Sequence, residues 1–381
     1  MLKFRILIVF AFVVFLSTLN VASAERLLRP GDTVLGVLSP MDGILKDNCY
    51  FDSYLIDAEV GDLLQITQIS EDFDSYLIVK GPDGRKWEND DFDPTLTTFD
   101  SRVPVLIRDS GTYEIICSSK YPDSTGEYVL TFERIERPTY FGIFVGIGFY
   151  GREWYATPLC DKDAENLRDA FISRGIMEEE NTILLTNNQA KYKKVVFAFD
   201  EMMERVGPED VFVFFFSGHG RKMESDGSEL GEAFDGMNEA ICLKDKDMSD
   251  DFLGSQFDRI NARLTVVVVD ACNSGGLARD IVAKPGRILY ASSEEDVLSD
   301  LAEELNAGGF LAAFFIDAVT GGADLDGDGM VMMGELTRYL LIRYGNDLPQ
   351  PESSTYGYQE LVHDRGTVSQ DSIFFWYDPL G

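Results

Sequence analysis

Two very apolar runs each end at a turn carrying a reactive side chain, and they constrain the fold of this 381-residue chain more than any other feature. Val211-Phe-Val-Phe-Phe-Phe216 leads into Ser217-Gly218-His219-Gly220. Thr265-Val-Val-Val-Val269 leads into Asp270-Ala271-Cys272-Asn273-Ser274-Gly275-Gly276. Short unbroken runs of β-branched and aromatic residues read as strands buried on both faces, the signature of a parallel sheet. In such sheets functional groups collect beyond the carboxyl ends of the strands. Two parallel neighbours would therefore bring His219 and Cys272 together across 53 residues of chain. Of the two histidines in the chain, His363 stands in a turn-rich tail, which leaves His219 as the partner for a Cys272 nucleophile.

Strands and helices alternate around these runs. Phe141–Val145, Thr182–Leu185 and Arg287–Ala291 read as further strands, and residues 163–174, 191–206 and 251–260 as helices, with Gly175 stopping the first. This predicts an α/β domain over residues 141–381, a doubly wound, mostly parallel sheet with helices on both faces. Residues 25–135 hold short strands punctuated by Val60-Gly61-Asp62, Gly81-Pro82-Asp83-Gly84 and Asp109-Ser110-Gly111, the pattern of a small antiparallel β-sandwich. Residues 136–140 are the linker. Phe-Asp-Ser-Tyr-Leu-Ile occurs at 51–56 and again at 73–78, which is too few copies for a solenoid and reads as two strands with similar packing roles. No glycine-rich phosphate loop follows the first strand of the α/β region, which disfavours nucleotide binding.

Residues 1–24 have the form of a secretory signal: Lys3 and Arg5, an apolar core from Ile6 to Leu16, then Ala22-Ser23-Ala24. The core is about half the roughly 20 residues a spanning helix needs, so the reading is an exported protein without stable membrane insertion. A formal net charge of −33 repels nucleic acid and favours cations and basic polypeptide segments. In an oxidising compartment Cys49 and Cys117 could bridge each other, and two of Cys160, Cys242 and Cys272 could pair, leaving one thiol for catalysis.

The His and Cys turns together resemble those of the caspase–metacaspase–legumain group of cysteine peptidases, over about residues 140–370. The resemblance implies a Cys272–His219 dyad, with the N–H groups of Gly220 and Cys272 stabilising the oxyanion. No carboxylate orienting the histidine is evident. Leu159-Cys160-Asp161-Lys162-Asp163 resembles the metacaspase Gly-Cys-x-Asn-Asp segment, with Lys162 in place of Asn. In metacaspases the aspartates matching Asp163 and Asp270 bind an Arg or Lys before the cleaved bond. Asp163 reads nearly as well as a helix N-cap, and Asp270 as a structural acid at a strand end. Arg221-Lys222, in the polar stretch after His219, is a conceivable self-cleavage site. The sandwich resembles the accessory pre-peptidase domains of secreted peptidases, with a ligand left unknown.

Asp324-Leu-Asp326-Gly-Asp328-Gly329-Met330-Val-Met-Met-Gly-Glu335 fits the twelve-residue calcium loop, with acids at positions 1, 3, 5 and 12, Gly at 6 and the Met330 carbonyl at 7. It lies between helical runs at 309–319 and Leu336–Tyr344. A second cation site is weaker: Phe234 to Cys242 and Met248-Ser-Asp250-Asp251 resemble the metacaspase calcium segments, with Asp245 or Asp247 as further matches. Asp250 and Asp251 read equally as a helix N-terminal acid pair. Asp90, Asp91 and Asp93 could also bind calcium, but read more readily as a solvated loop.

These features converge on an exported, calcium-associated cysteine endopeptidase that takes polypeptides with basic residues. Two alternatives stand beside it: a legumain-like enzyme cleaving after Asn, and a catalytically silent binding protein of the same fold. The tail, residues 346–381, is left unassigned.

Overall fold

The computed structural model describes residues 26–90, 99–224, 237–294, 302–348 and 359–377. The leader, Asp91, Asp93 and residues 234–236 lie outside them. Among the described residues no helix is long and apolar enough to cross a membrane.

The α/β domain is built on a six-stranded sheet in the order Thr182–Thr186, Tyr140–Gly146, Val211–Ser217, Leu264–Asp270, Arg287–Ala291, Val362–Asp364. The first five are parallel and the last is antiparallel. Every residue of the histidine strand Val211–Ser217 and of the cysteine strand Leu264–Asp270 is buried. This is the burial that unbroken apolar runs require. Helices Cys160–Ser173, Phe310–Asp317 and Met333–Asp347 cover one face, where Phe171, Phe314 and Leu340 join Val213, Phe215 and Val266 in one core. Helices Tyr192–Arg205, Asp250–Phe257 and Ala278–Ile281 cover the other, where Phe199 and Phe257 pack on Phe212 and Phe214. The fold is the expected doubly wound α/β class. A separate small sheet, Gly220–Glu224, Met237–Cys242 and Asp247–Ser249, stands beside the histidine turn.

Upstream, two sheets enclose a core of their own that includes Ile56, Leu77, Ile115 and Leu130. One carries the strands Tyr50–Ala58, Gly111–Ser119 and Ser75–Lys80 side by side, so the strands bearing the two Phe-Asp-Ser-Tyr-Leu-Ile copies flank a common neighbour. The short strand Arg26–Leu28 pairs parallel to Tyr54–Ile56, against the otherwise antiparallel pattern.

Several expectations change. All five cysteines are thiols with no disulfide. The register explains the first pair: Asp52 lies opposite Cys117, and Cys49 is three residues farther along, about 10 Å at strand spacing and too far for a bridge. The first helix begins at Cys160 rather than 163, after Leu159 in a left-handed conformation, so Asp163 is an interior residue and not its N-cap. Tyr140 already belongs to the first strand. The tail contributes Val362–Asp364 to the sheet edge and Ile373–Trp376 as partner to Met330–Met332. Arg221-Lys222 forms part of a strand, and Arg221 is ion-paired with Asp247, so this is no open loop. Phe214 is fully buried between Phe199 and Phe257. Phe214→Ala should cost about 3–5 kcal/mol, read as a lower midpoint in denaturant unfolding with an unchanged slope.

Candidate active site

The register between the histidine and cysteine strands sets Ser217 beside Asp270, so the two turns leave the sheet together. The Gly218 N–H donates to the Asp270 carbonyl at 3.1 Å and ties them. His219 and Cys272 then line one small cleft of about 130 Å³ with Thr157, Cys160, Asp270 and Gly309. Glycine at 220 is required by close approach, since a Cβ there would lie 2.1 Å from the Cys272 carbonyl oxygen. After Cys272 the chain turns at Asn273, φ 57°, a left-handed conformation that Asn tolerates. Cys272 is part-exposed, whereas the other four cysteines are buried.

The histidine is held by main chain and aromatics. Its ring hydrogen-bonds the backbone of Tyr155, and Nε2 is buried without a hydrogen-bond partner among the described residues. The donor is therefore Nδ1–H and the acceptor is the Tyr155 carbonyl. The Tyr155 ring stacks on the imidazole with centroids 4.1 Å apart and planes 18° apart. The backbone N–H of His219 donates to the Tyr150 hydroxyl at 2.9 Å, and that hydroxyl donates to the Cys242 carbonyl at 3.0 Å. Burial lowers the His219 pKa, with the Tyr155 carbonyl opposing the shift. At neutral pH the ring is thus mostly neutral, with Nε2 ready to accept a proton. A backbone carbonyl leaves no mark in a sequence, so this orienting group was not readable there.

Asp270 ends its strand 4 % exposed, and one of its oxygens accepts from the Ala312 N–H at 2.8 Å. Asp163 lies fully buried behind the cleft wall. It accepts from the Ser217 hydroxyl at 2.7 Å and from the N–H groups of Gly308 and Gly309 at 2.9 and 3.2 Å. Burial, with Asp270 as a like charge nearby, pushes the Asp163 carboxyl up to about 7. Gly309 has no room for a side chain, as a Cβ would meet an Asp270 oxygen at 2.1 Å. Sequence reasoning missed Cys160, Ser217 and the Gly308-Gly309 pair, which complete this pocket from three separate parts of the chain.

Two acidic clusters stand apart from His219 and Cys272. Asp250, Asp251 and Asp280 bring one carboxylate oxygen each within 4.8 Å of one another, as do Asp324, Asp326 and Asp328. The sequence singled out Asp250 and Asp251 but not Asp280, which lies on the helix Ala278–Ile281 and packs against Gly254 of the helix Asp250–Phe257. Asp250 and Asp251 open that helix after the Ser249 cap. Buried Asn238 donates to Asp251 at 2.7 Å, while its own amide oxygen is buried without a hydrogen-bond partner among the described residues. Asp245 and Asp247 stand outside the cluster; they bond the Tyr192 N–H and Arg221. In the 324–335 loop, Gly329 N–H donates to Asp324 and Met330 N–H to Asp328, at 3.1 and 2.8 Å. Glu335 accepts from Leu325 and Met332, at 3.1 and 2.9 Å. Burial raises the Asp324 and Glu335 pKa values and pushes Asp328 up to about 7, with neighbouring carboxylates adding to each shift. Asp324 Oδ1 is buried without a hydrogen-bond partner among the described residues. Crowded hard oxygen donors of this kind fit a divalent cation.

Residues 142–280 match the family described as metacaspase, peptidase C14 domain. The chain is 27% identical over 154 residues to metacaspase-3 of Arabidopsis thaliana, covering 36% of this chain and 41% of the relative. It is 26% identical over 163 residues to metacaspase-4 of the same plant, covering 40% and 38%. The chain thus spans about two fifths of the length of these relatives. A crystal structure of a Geobacter sulfurreducens protein aligns over 62% of this chain and 99% of its own, with 17% identity and a TM-score of 0.41.

Partial exposure beside an imidazole should make Cys272 the most reactive of the five thiols. Brief alkylation of the folded protein, read by peptide mass spectrometry, should label Cys272 first. His219→Ala should slow that labelling roughly tenfold or more. Equal labelling of several cysteines, or no effect of His219→Ala, would contradict the geometry.

Proposed function

Residues 142–280 belong to the metacaspase family of C14 peptidases, and on that premise we propose that the chain is an exported cysteine endopeptidase cleaving after Arg or Lys. The observation that carries this reading is the cleft itself, where His219, Cys272 and Asp270 meet and Asp163 lies just behind. His219 Nε2 takes the Cys272 proton as sulfur attacks the scissile carbonyl carbon. The carbonyl oxygen becomes an oxyanion, held by the N–H groups of Cys272 and Gly220; one such contact is worth about 3–4 kcal/mol. The tetrahedral intermediate collapses, the carbon–nitrogen bond breaks, and His219 delivers the proton to the departing amine. Water, deprotonated by His219, then hydrolyses the acyl-enzyme and regenerates the thiol. Asp270 and Asp163 supply the negative charge for a guanidinium or ammonium group, and a planar guanidinium gains charge-assisted bonds there.

Calcium is the proposed cation for both acidic clusters, and when bound it supplies positive charge and fixed coordination geometry. Asp324, Asp326, Asp328 and Glu335 with the Met330 carbonyl would hold one ion, and Asp250, Asp251 and Asp280 another. The second cluster adjoins the strand Met237–Cys242, whose Glu239 N–H donates to Asp250 at 3.0 Å. That strand pairs with Gly220–Glu224 directly after His219. A cation there would steady the histidine turn. Residues 1–24 are read as the export signal, and the sandwich as a pre-peptidase-type accessory domain.

Purified protein should hydrolyse Arg or Lys reporter peptides with calcium, lose that activity in chelator, and lose it in Cys272→Ala. Preferential Asn cleavage would move the assignment to a legumain-like enzyme, and silence on all reporters in reducing buffer with calcium would leave a binding protein. Asp163 supplies a pH signature. With its pKa raised, it is a carboxylate above about 7 and a neutral acid below. KM for an Arg peptide should therefore rise as pH falls through that value, and Asp163→Asn should flatten the trend while raising KM at alkaline pH. An unchanged pH dependence of KM in Asp163→Asn would remove Asp163 from the specificity pocket.

A further inference from the structure

The seam between the sandwich and the α/β domain runs through the acidic loop. Leu63 and Leu106 of the sandwich form one buried cluster with Met330, Ile373 and Trp376, and Met330 is also position seven of the 324–335 loop. Beside this cluster Arg108, two residues past the strand Ser101–Leu106, lies against the loop backbone. A Cβ at Gly329 would be 2.3 Å from an Arg108 Nη and 3.1 Å from Leu106 Cδ2. Arg108 and Asp324 line the same crevice of about 230 Å³ with Gly329 and Tyr377. The Tyr377 N–H donates to the Gly329 carbonyl at 2.9 Å and holds the loop against the α/β domain from its other side. The Gly329 N–H donates to Asp324 at 3.1 Å, so Arg108 sits against the same glycine that Asp324 grips.

We propose that the sandwich tunes cation binding at this loop: Arg108 is a tethered positive charge whose field opposes a divalent cation held by Asp324. The inference rests on the calcium reading of the loop given above. A like charge held nearby weakens a cation's binding by Coulomb repulsion. The linkage is reciprocal: a bound cation loosens the hold of Arg108 on the loop by the same factor by which Arg108 weakens the cation. The apolar cluster of Leu63, Leu106, Met330 and Trp376 carries no charge, so it keeps the two domains in contact while the Arg108 contact responds. An extracellular cation level would then be read at the domain seam, away from the dyad.

Terbium luminescence and calcium calorimetry on the full chain test this, with wild type, Arg108→Gln and the loop control Asp324→Asn. Arg108→Gln should bind roughly fivefold tighter or more, with the gain shrinking in high salt, and Asp324→Asn should lose the loop's binding. Should Arg108→Gln fold poorly, Arg108→Met, which also removes the charge, serves instead and should show the same gain; Arg108→Lys keeps the charge and should stay near wild-type affinity. Unchanged or weaker binding in a folded Arg108→Gln, or a large gain in Arg108→Lys, overturns the inference while leaving the loop a cation site. If Asp324→Asn titrates like wild type, the cation reading of the loop fails, and the inference with it.

Discussion

The parallel pairing of Val211–Ser217 with Leu264–Asp270 is the constraint on which the functional geometry depends. Its register sets Ser217 against Asp270, so two turns far apart in sequence leave the sheet at one place. A shift of one residue would exchange which side chains face each helical layer. Seven buried positions on each strand prevent that shift, since each face is already filled by aromatic and branched side chains. The register therefore brings His219 and Cys272 to one cleft, at the edge where doubly wound sheets present their chemistry.

Around that pair the main chain does much of the positioning. The Tyr155 carbonyl selects the histidine tautomer, the Gly218 N–H ties the two turns, and the Gly308 and Gly309 N–H groups hold Asp163. Two glycines are there because neighbours come too close for a Cβ: Gly220 against the Cys272 carbonyl and Gly309 against Asp270. Asp270 in the cleft and Asp163 behind it are buried like charges, a costly arrangement, and under the proposed function a basic substrate side chain would offset it. The same reasoning applies to the cluster of Asp324, Asp326 and Asp328, where burial, with neighbouring carboxylates adding to it, raises the Asp324 and Asp328 pKa values and a cation would lower them.

The α/β architecture was legible because apolar runs such as 211–216 and 265–269 have no other stable use in a chain of this size. The meeting of His219 and Cys272 in one cleft was legible because each stands just after such a run. What was lost had weaker local marks. The edge strand Val362–Asp364 is three residues long with a polar centre and reads as coil. The first helix starts at Cys160, without the polar cap that signals helix starts, and this hid the interior position of Asp163. Asp280 joins its cluster from a separate segment, and Cys160 and Ser217 meet the cleft wall and Asp163 only through the folded chain, which spacing alone does not reveal. The cysteine pairings failed because a cysteine count carries no register, and the register sets Asp52 opposite Cys117.

The most direct test of the central claim is covalent capture of the nucleophile. The reduced protein would be treated with calcium and either a peptidyl-Arg or a peptidyl-Asn electrophile, then mapped by peptide mass spectrometry. The account predicts one adduct per chain, on Cys272, formed faster with the Arg reagent and slowed in His219→Ala. An adduct on another cysteine, faster labelling by the Asn reagent, or labelling indifferent to His219 would contradict it.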